Sequence, residues 1–318
     1  MPTSPEAAET ERSSATDESQ IGIEAGAAEA EQEKRTRLVV LFGGASAEHD
    51  VSCMTAADVL RAVDPARYEL VPVAITPQGR WLLSEATAKA LAEGPSALPE
   101  HLATEGPELD PLHALAPVTA GEQVVVFPLL HGPLGEDGTV QGLLELAGVP
   151  YVGAGVLGSA LCMDKAMAKV VAAAHGLPQA RHLSAHAGAV DDAFSSRVAD
   201  ELGFPVFVKP ANLGSSVGIA KASDAPTLRV ALDDALRYDE WVVVEEAVTG
   251  REIEVGVLGT TDPRASVPGE IVPTHEFYDY DDKYVDGAAR MVIPADLLPG
   301  VAADAQRLAL LAFTALRA

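Results

Sequence analysis

From Arg37 onward the chain alternates short apolar runs with longer stretches of helical spacing. Leu38-Val39-Val40-Leu41-Phe42 is an unbroken apolar run closed by Gly43-Gly44. It predicts a buried parallel strand that ends in a tight turn. A helix is expected over residues 52–62, with Asp58 and Arg61 outward, then strands over residues 68–75 and 124–130, the last ending at His131. The stretch between them, residues 83–118, is rich in Ala, Pro and Glu and reads as helices and exposed loop with little chemistry. A short helix over residues 141–147 completes a βαβ pattern, which is Rossmann-like.

From Ser159 the pattern changes. A helix is expected over residues 163–174 and a strand over 205–209, which Ile219-Ala220-Lys221 can pair with. A helix over 226–237 and strands over 241–246 and 252–258 follow. Strands joined by turns predict an antiparallel sheet with helices on one face, an α+β unit. Residues 301–317 read as an amphipathic helix with no cap and no following strand. The fold class is therefore α/β, and the expected divisions are 1–36, an acidic disordered tail without a secretory pattern, then 37–152, 153–247 and 248–318.

Composition narrows the function. The net charge of −25 excludes general binding to nucleic acid or anionic lipid. A locally basic site for a small anion remains open. No apolar stretch approaches the roughly 18 residues of a membrane span, so no membrane role is expected and cytoplasm is the simplest address. Cys53 and Cys162 are too few for a disulfide framework and read as small buried hydrophobes in a reducing compartment.

Several motifs carry chemistry. Gly43 to Ser52 joins a strand to a helix, but the Gly-x-Gly-x-x-Gly spacing of hydride-transfer enzymes is absent. Glu48 there is either a helix-terminus charge or a ligand group. His131-Gly132-Pro133-Leu134-Gly135-Glu136-Asp137-Gly138 follows the carboxyl end of a strand, where open α/β sheets bind ligands. Lys209 ends a strand and precedes Asn212-Leu213-Gly214-Ser215-Ser216-Val217-Gly218. Successive N–H groups and hydroxyls in such a loop suit an anion, with lysine as the point charge. The alternative is a flexible surface turn. Met163-Asp164-Lys165, Glu245-Glu246 with Glu252, and the Tyr-rich stretch ending Lys283-Tyr284 are unremarkable singly; the last suits either a surface loop or a lid.

Together, in this order, the motifs Gly-Gly-x-Ser-x-Glu-x-x-Val-Ser, His-Gly-x-x-Gly-Glu-Asp-Gly, Met-Asp-Lys, Val-Lys-Pro with Gly-Ser-Ser-Val-Gly, and Tyr-Asp-Tyr-x-x-Lys-Tyr resemble the D-alanine–D-alanine ligase family of the ATP-grasp superfamily, from Arg37 to the chain end. The resemblance implies a Rossmann-like N-terminal domain followed by an ATP-grasp fold of α+β subdomains, the last incomplete. It implies Lys165 and Lys209 at the ATP phosphates, with Ser215 and Ser216 in the loop that closes over them. Glu245 would meet the adenine amino group, with backbone near Ala247 and Val248, and Glu252 the ribose. Lys283 would approach the γ-phosphate. Glu48 would receive the ammonium of the first D-alanine, beside Val51 and His131, and Glu48, Ser215 and Tyr284 would form a hydrogen-bonded trio.

The implied reaction is attack of one D-alanine carboxylate on the γ-phosphate, giving an acylphosphate and ADP. The amine of a second D-alanine then displaces phosphate. The Lys283-Tyr284 pair favours a dipeptide over a depsipeptide; D-lactate or D-serine as acceptor, and a non-catalytic nucleotide or amino-acid sensor, are the alternatives. The family implies Mg2+, with Mn2+ able to substitute, and a homodimer at full length. Its metal ligands, an Asp and then Asn-Glu-Ile-Asn, are expected beyond Ala318, so the stretch 1–318 is expected to lack metal ligands and to be inactive.

Overall fold

The computed structural model describes residues 35–117, 123–274 and 289–318. The tail expected over residues 1–36 falls almost wholly outside them, as do Lys283 and Tyr284.

In the first sheet β1 (Thr36–Gly43) lies between β2 (Tyr68–Ile75) and β4 (Val124–Pro128), parallel to both. A short edge strand, β3 (Trp81–Leu83), pairs antiparallel with β2. Leu38, Val40 and Phe42 face one apolar cluster, and Val39 and Leu41 face another. Burial on both faces is why β1 is apolar throughout residues 38–42 instead of alternating. Cys53, Ala56, Ala57 and Leu60 of α1 (His49–Ala62) fill the first cluster. The helix starts earlier than its apolar spacing indicates, because Glu48 takes the N-cap position.

Residues 83–118 are less exposed than expected. They hold α2 (Glu85–Glu93) and α3 (Pro111–Leu115), and Leu98, Leu102 and Leu115 are buried. Leu98 and Leu102 pack into the same cluster as α1, so the stretch closes the core of the first sheet. On the sheet's other face Val140 and Leu144 of α4 (Thr139–Ala147) are buried.

The helix expected over 163–174 is present as α6 (Lys165–Ala174), and a further helix, α5 (Val156–Met163), precedes it. Asp164 between them is extended, and its carboxylate accepts from the Met167 N–H at 3.0 Å, capping α6.

The second sheet is antiparallel, in the order β5 (His182–His186), β8 (Trp241–Glu246), β6 (Val206–Pro210), β7 (Ala220–Ala222). Val206, Val208, Val242 and Val244 pack against Phe194 and Val198 of α7 (Asp192–Glu201) and Leu228 and Leu232 of α8 (Ala225–Ala235). Helices are not confined to that face. Ala166 of α6 packs with Val243 and Ala211 on the opposite one. Strand alternation therefore turns Lys209 and Glu245 toward the α6 side.

The expected strand 252–258 is split into β9 (Glu252–Glu254) and β10 (Val257–Leu258). β10 pairs with β11 (Arg264–Ala265), whereas β9 joins β12 (Gly269–Val272) and β13 (Arg290–Val292) in a three-stranded sheet.

The last helix, α9 (Pro299–Leu316), is capped, contrary to expectation. Arg317 takes the left-handed conformation, its N–H donates to the Thr314 carbonyl, and the Ala318 N–H donates to that of Phe313. These paired bonds form a closing turn in which arginine stands where glycine is usual, so residue composition did not reveal it. Cys162 likewise differs from expectation: it is exposed on α5, whereas Cys53 is buried. Burial first, then the charge of Asp50, pushes the Cys53 thiol up to about 12, so it is inert packing. Among the described residues no helix is long and apolar enough to cross a membrane.

Candidate functional site

Three loops meet at Glu48. The Ser46 hydroxyl donates to the His131 carbonyl at 2.7 Å and accepts from the Glu48 N–H, so the turn after β1 is tied to the loop after β4. The Ser215 hydroxyl, from the glycine-rich loop after β6, donates to Glu48 Oε1. Glu48 is 5% exposed. Among the described residues it has a hydroxyl partner but no lysine or arginine paired with it. A buried carboxylate without a protein cation can take one from a ligand.

The backbone around Glu48 leaves no slack. Gly132 has φ +72°, and a Cβ there would stand 2.6 Å from Glu48 Oε2. His131 is part-buried, with Nε2 3.3 Å from the Thr55 hydroxyl of α1. Val51, half-buried, lies one turn along α1 from Glu48. The rest of the His131 loop is held by carboxylates. Glu136 accepts from the Gly132 N–H at 2.7 Å. Burial, aided by nearby Glu48, raises its pKa against the opposing effects of that N–H and His131. For Asp137, burial acts upward but the Leu134 and Thr139 N–H groups outweigh it and hold the carboxyl low.

The basic half of the site lies between the second sheet and α6. Lys209 donates to Glu245 Oε2 at 2.8 Å, and Lys169 pairs with Oε1 of the same carboxylate at 3.0 Å. Burial would raise Glu245, but the two lysines outweigh it and keep the carboxylate ionised. Lys165 donates to the carbonyls of Ala211, at 3.3 Å, and Leu213. Burial first, then the neighbouring charge of Lys209, lowers its pKa to about 8. Carbonyl partners do not neutralise a lysine, and Asp239, Glu245 and Asp164 act on it without a direct ion pair, an arrangement suited to an anion.

The glycine-rich loop connects the halves. Its start is pinned by Asp239, which accepts from the Asn212 N–H at 2.6 Å and side-chain amide at 2.9 Å. Ser215 and Ser216 both have left-handed backbones, at φ 45° and 61°. Non-glycine residues seldom adopt that conformation, and it tends to be stored at ligand clamps. Gly218 closes the loop; a Cβ there would stand 2.7 Å from the Tyr238 ring and 2.8 Å from Pro210.

Beyond Lys209 opens a cleft of about 720 Å³ lined by Phe207, Ser216, Lys221, Ala247, Val248 and Glu252, among others. Of the residues singled out from the sequence, Lys209, Ser216, Ala247, Val248 and Glu252 line it, and the Ala247 N–H is bonded to the Pro205 carbonyl at 3.1 Å. Glu245 is engaged by lysines, and Glu48, Val51, His131 and Ser215 sit at the other end. Lys283 and Tyr284 are outside the described residues. Sequence reading passed over Lys169, although its spacing from Lys165 puts both on one face of α6. It also passed over Asp239, which carries no spacing signal, although its partner Asn212 stood in the quoted loop.

Magnesium takes several oxygen ligands in octahedral geometry. Among the described residues no group of three or more His, Cys, Asp and Glu is placed to hold a metal ion. Magnesium that arrives with a nucleotide is held by one or two carboxylates and the phosphates, which needs no such group.

A parallel-sheet domain that delivers a buried carboxylate to a lysine-lined cleft over an antiparallel sheet defines the ATP-grasp class of ligases, and solved structures agree. A D-alanine–D-alanine ligase from Coxiella burnetii aligns with a TM-score of 0.72 at 32% identity, over 89% of this chain and 78% of that one. The VanG D-Ala:D-Ser ligase from Enterococcus faecalis aligns with the same score at 29% identity, over 89% and 83%. Residues 37–154 match the family described as D-ala D-ala ligase N-terminus, and residues 171–318 that described as D-ala D-ala ligase C-terminus. A D-alanine–D-alanine ligase from Mycobacterium sp. (strain KMS) is 46% identical over 304 residues, 89% of this chain and 81% of the relative. The chain belongs to the D-alanine–D-alanine ligase family.

Proposed function

We propose that this protein joins two D-alanines at the expense of ATP, by way of an acylphosphate, supplying the dipeptide for peptidoglycan precursors. The observation that carries this reading is the Ser215–Glu48 hydrogen bond. It sets a buried carboxylate, suited to an ammonium group, against the loop that leads back to Lys209. Glu48 receives the ammonium of the first D-alanine, with Val51 and His131 beside it. That substrate's carboxylate then lies toward the glycine-rich loop.

Lys165 and Lys209 hold the ATP phosphates, Ser215 and Ser216 close over them, and Lys283 joins at the γ-phosphate. Glu245, Ala247 and Val248 surround the adenine, and Glu252 takes the ribose. Such phosphoryl transfer depends on positioning and charge neutralisation, which lysines and a closed, dry site supply. Tyr284 completes the trio with Glu48 and Ser215. ATP is used with magnesium, the reaction takes place in the cytoplasm, and the assembly is a homodimer. The divisions at 37–152, 153–247 and 248–318 are retained, supported by the two four-stranded sheets falling in the first and second and both smaller sheets in the third.

The test is product analysis with ATP, magnesium and D-alanine, alone or with D-serine or D-lactate. ADP, phosphate and D-alanyl-D-alanine are expected in equal amounts. A mixed product formed in preference would move the reading to a different acceptor; ATP binding without phosphate release would move it to a sensor.

A further inference from the structure

We propose that Lys169 is a positioning residue for nucleotide binding, one that frees Lys209 to meet a phosphate. This rests on the reading that Lys209 binds ATP phosphates. Lys169 and Lys209 approach the same carboxylate from opposite elements, α6 and β6, and each takes one oxygen of Glu245, at 3.0 and 2.8 Å. All three side chains are largely buried; the Glu245 side chain is 13% exposed. A carboxylate so far from water requires a cation. Were Lys209 the only one, moving it to a phosphate would leave Glu245 unpaired, and the site would resist the move. With Lys169 in place, Lys209 departs while Glu245 keeps a partner.

The geometry of α6 supports the assignment. Lys165 and Lys169 share one helix face. Lys165 spends its ammonium on the carbonyls of Ala211 and Leu213, at the root of the glycine-rich loop. Lys169, one turn on, reaches past it to the sheet. One helix thus supplies a lysine to the loop and a lysine to the carboxylate. The arrangement separates two tasks that a single Lys209–Glu245 pair would set against each other.

The experiment compares ADP and adenosine binding by calorimetry in the protein and in Lys169→Met, Lys169→Arg, Glu245→Gln and Lys169→Met with Glu245→Gln. Lys169→Met is expected to weaken ADP about tenfold, the scale of one charge-assisted hydrogen bond, with adenosine changed less than about threefold. Lys169→Arg restores ADP binding to within about threefold. In the Glu245→Gln background, where Lys209 has no carboxylate to leave, Lys169→Met has little further effect.

The proposal is overturned if Lys169→Met leaves ADP affinity within about twofold, if adenosine weakens as much as ADP, or if the loss is undiminished in the Glu245→Gln background, which would make Lys169 a general attractive charge. Should Lys169→Met fail to fold, Lys169→Gln, which also removes the charge beside an intact Glu245, is read in its place: a loss of ADP affinity of about tenfold that vanishes in the Glu245→Gln background supports the proposal, and affinity within about twofold overturns it. An unmodified protein that binds neither ligand would remove the nucleotide reading and this proposal together; binding in that protein that is indifferent to Lys169 removes only the latter.

Discussion

Glu48, at the N-cap of α1, and Glu245, near the end of β8, are both carboxylates largely shielded from water, and the protein treats them in opposite ways. Glu245 is neutralised twice, by Lys169 and Lys209, whereas Glu48 has a hydroxyl and, among the described residues, no cation. The difference teaches which charge the protein keeps for itself. A doubly paired carboxylate has its charge met from within the protein and holds its lysines in place. One satisfied only by a hydroxyl keeps its electrostatic demand for a ligand.

The strongest way to break that contrast is Glu48→Gln. Removing the charge opposite a buried ammonium is worth about 3–5 kcal/mol, so kcat/KM for D-alanine is expected to fall on the order of 10²- to 10⁴-fold. ADP affinity, by titration, should stay within a few-fold. An equal loss of both would show that Glu48 serves the whole site and not the amino acid.

Gly132→Ala attacks the same carboxylate through space. Its Cβ would meet Glu48 Oε2 at 2.6 Å in a backbone that glycine alone adopts freely. A cost of about 1–3 kcal/mol in stability, read from denaturant melts, and a fall of about ten- to a hundredfold in D-alanine kcat/KM are expected. Ser215→Ala removes one charge-assisted hydrogen bond, and about a tenfold loss is expected in the same assay.

The smallest effect belongs to the basic side and is a matter of pH. Lys165 has its pKa lowered from 10.5 to about 8, so free protein has lost about half of that charge by pH 8. Bound phosphate draws the pKa back up. ADP binding near pH 8 is therefore expected to take up a fraction of a proton, and affinity to decline by up to about tenfold per unit above that value. Calorimetry in buffers of differing ionisation enthalpy reads both. The sign for stability is the reverse: between about 8 and 10.5 the unfolded chain holds more protons, so Lys165 burdens the fold less as pH rises.

How much of this could be read beforehand depended on range. β1, β2 and β8 were legible because buried strands declare themselves as apolar runs between turn residues. β3 was not, since three residues at an edge give no period. The burial of Leu98 and Leu102 was hidden by a stretch whose average composition is that of a loop. In the site, Lys209 and its loop stood out alone. Lys169 was visible in principle, through its spacing from Lys165, but a lysine on a helix is ordinarily solvated. The meeting of Ser215 with Glu48, across a separation of 167 residues, has no local signature, and only the order of motifs pointed to it.

That one hydrogen bond has a thermodynamic corollary. A contact between the amino-acid receptor and the nucleotide loop cannot transmit in one direction only. If an ammonium group on Glu48 alters the hold on Ser215, and thereby the affinity for nucleotide, then nucleotide must alter amino-acid affinity by the same factor. Equilibrium alone thus assigns no leading ligand; any preferred order of arrival must come from the rates at which the loop opens and shuts.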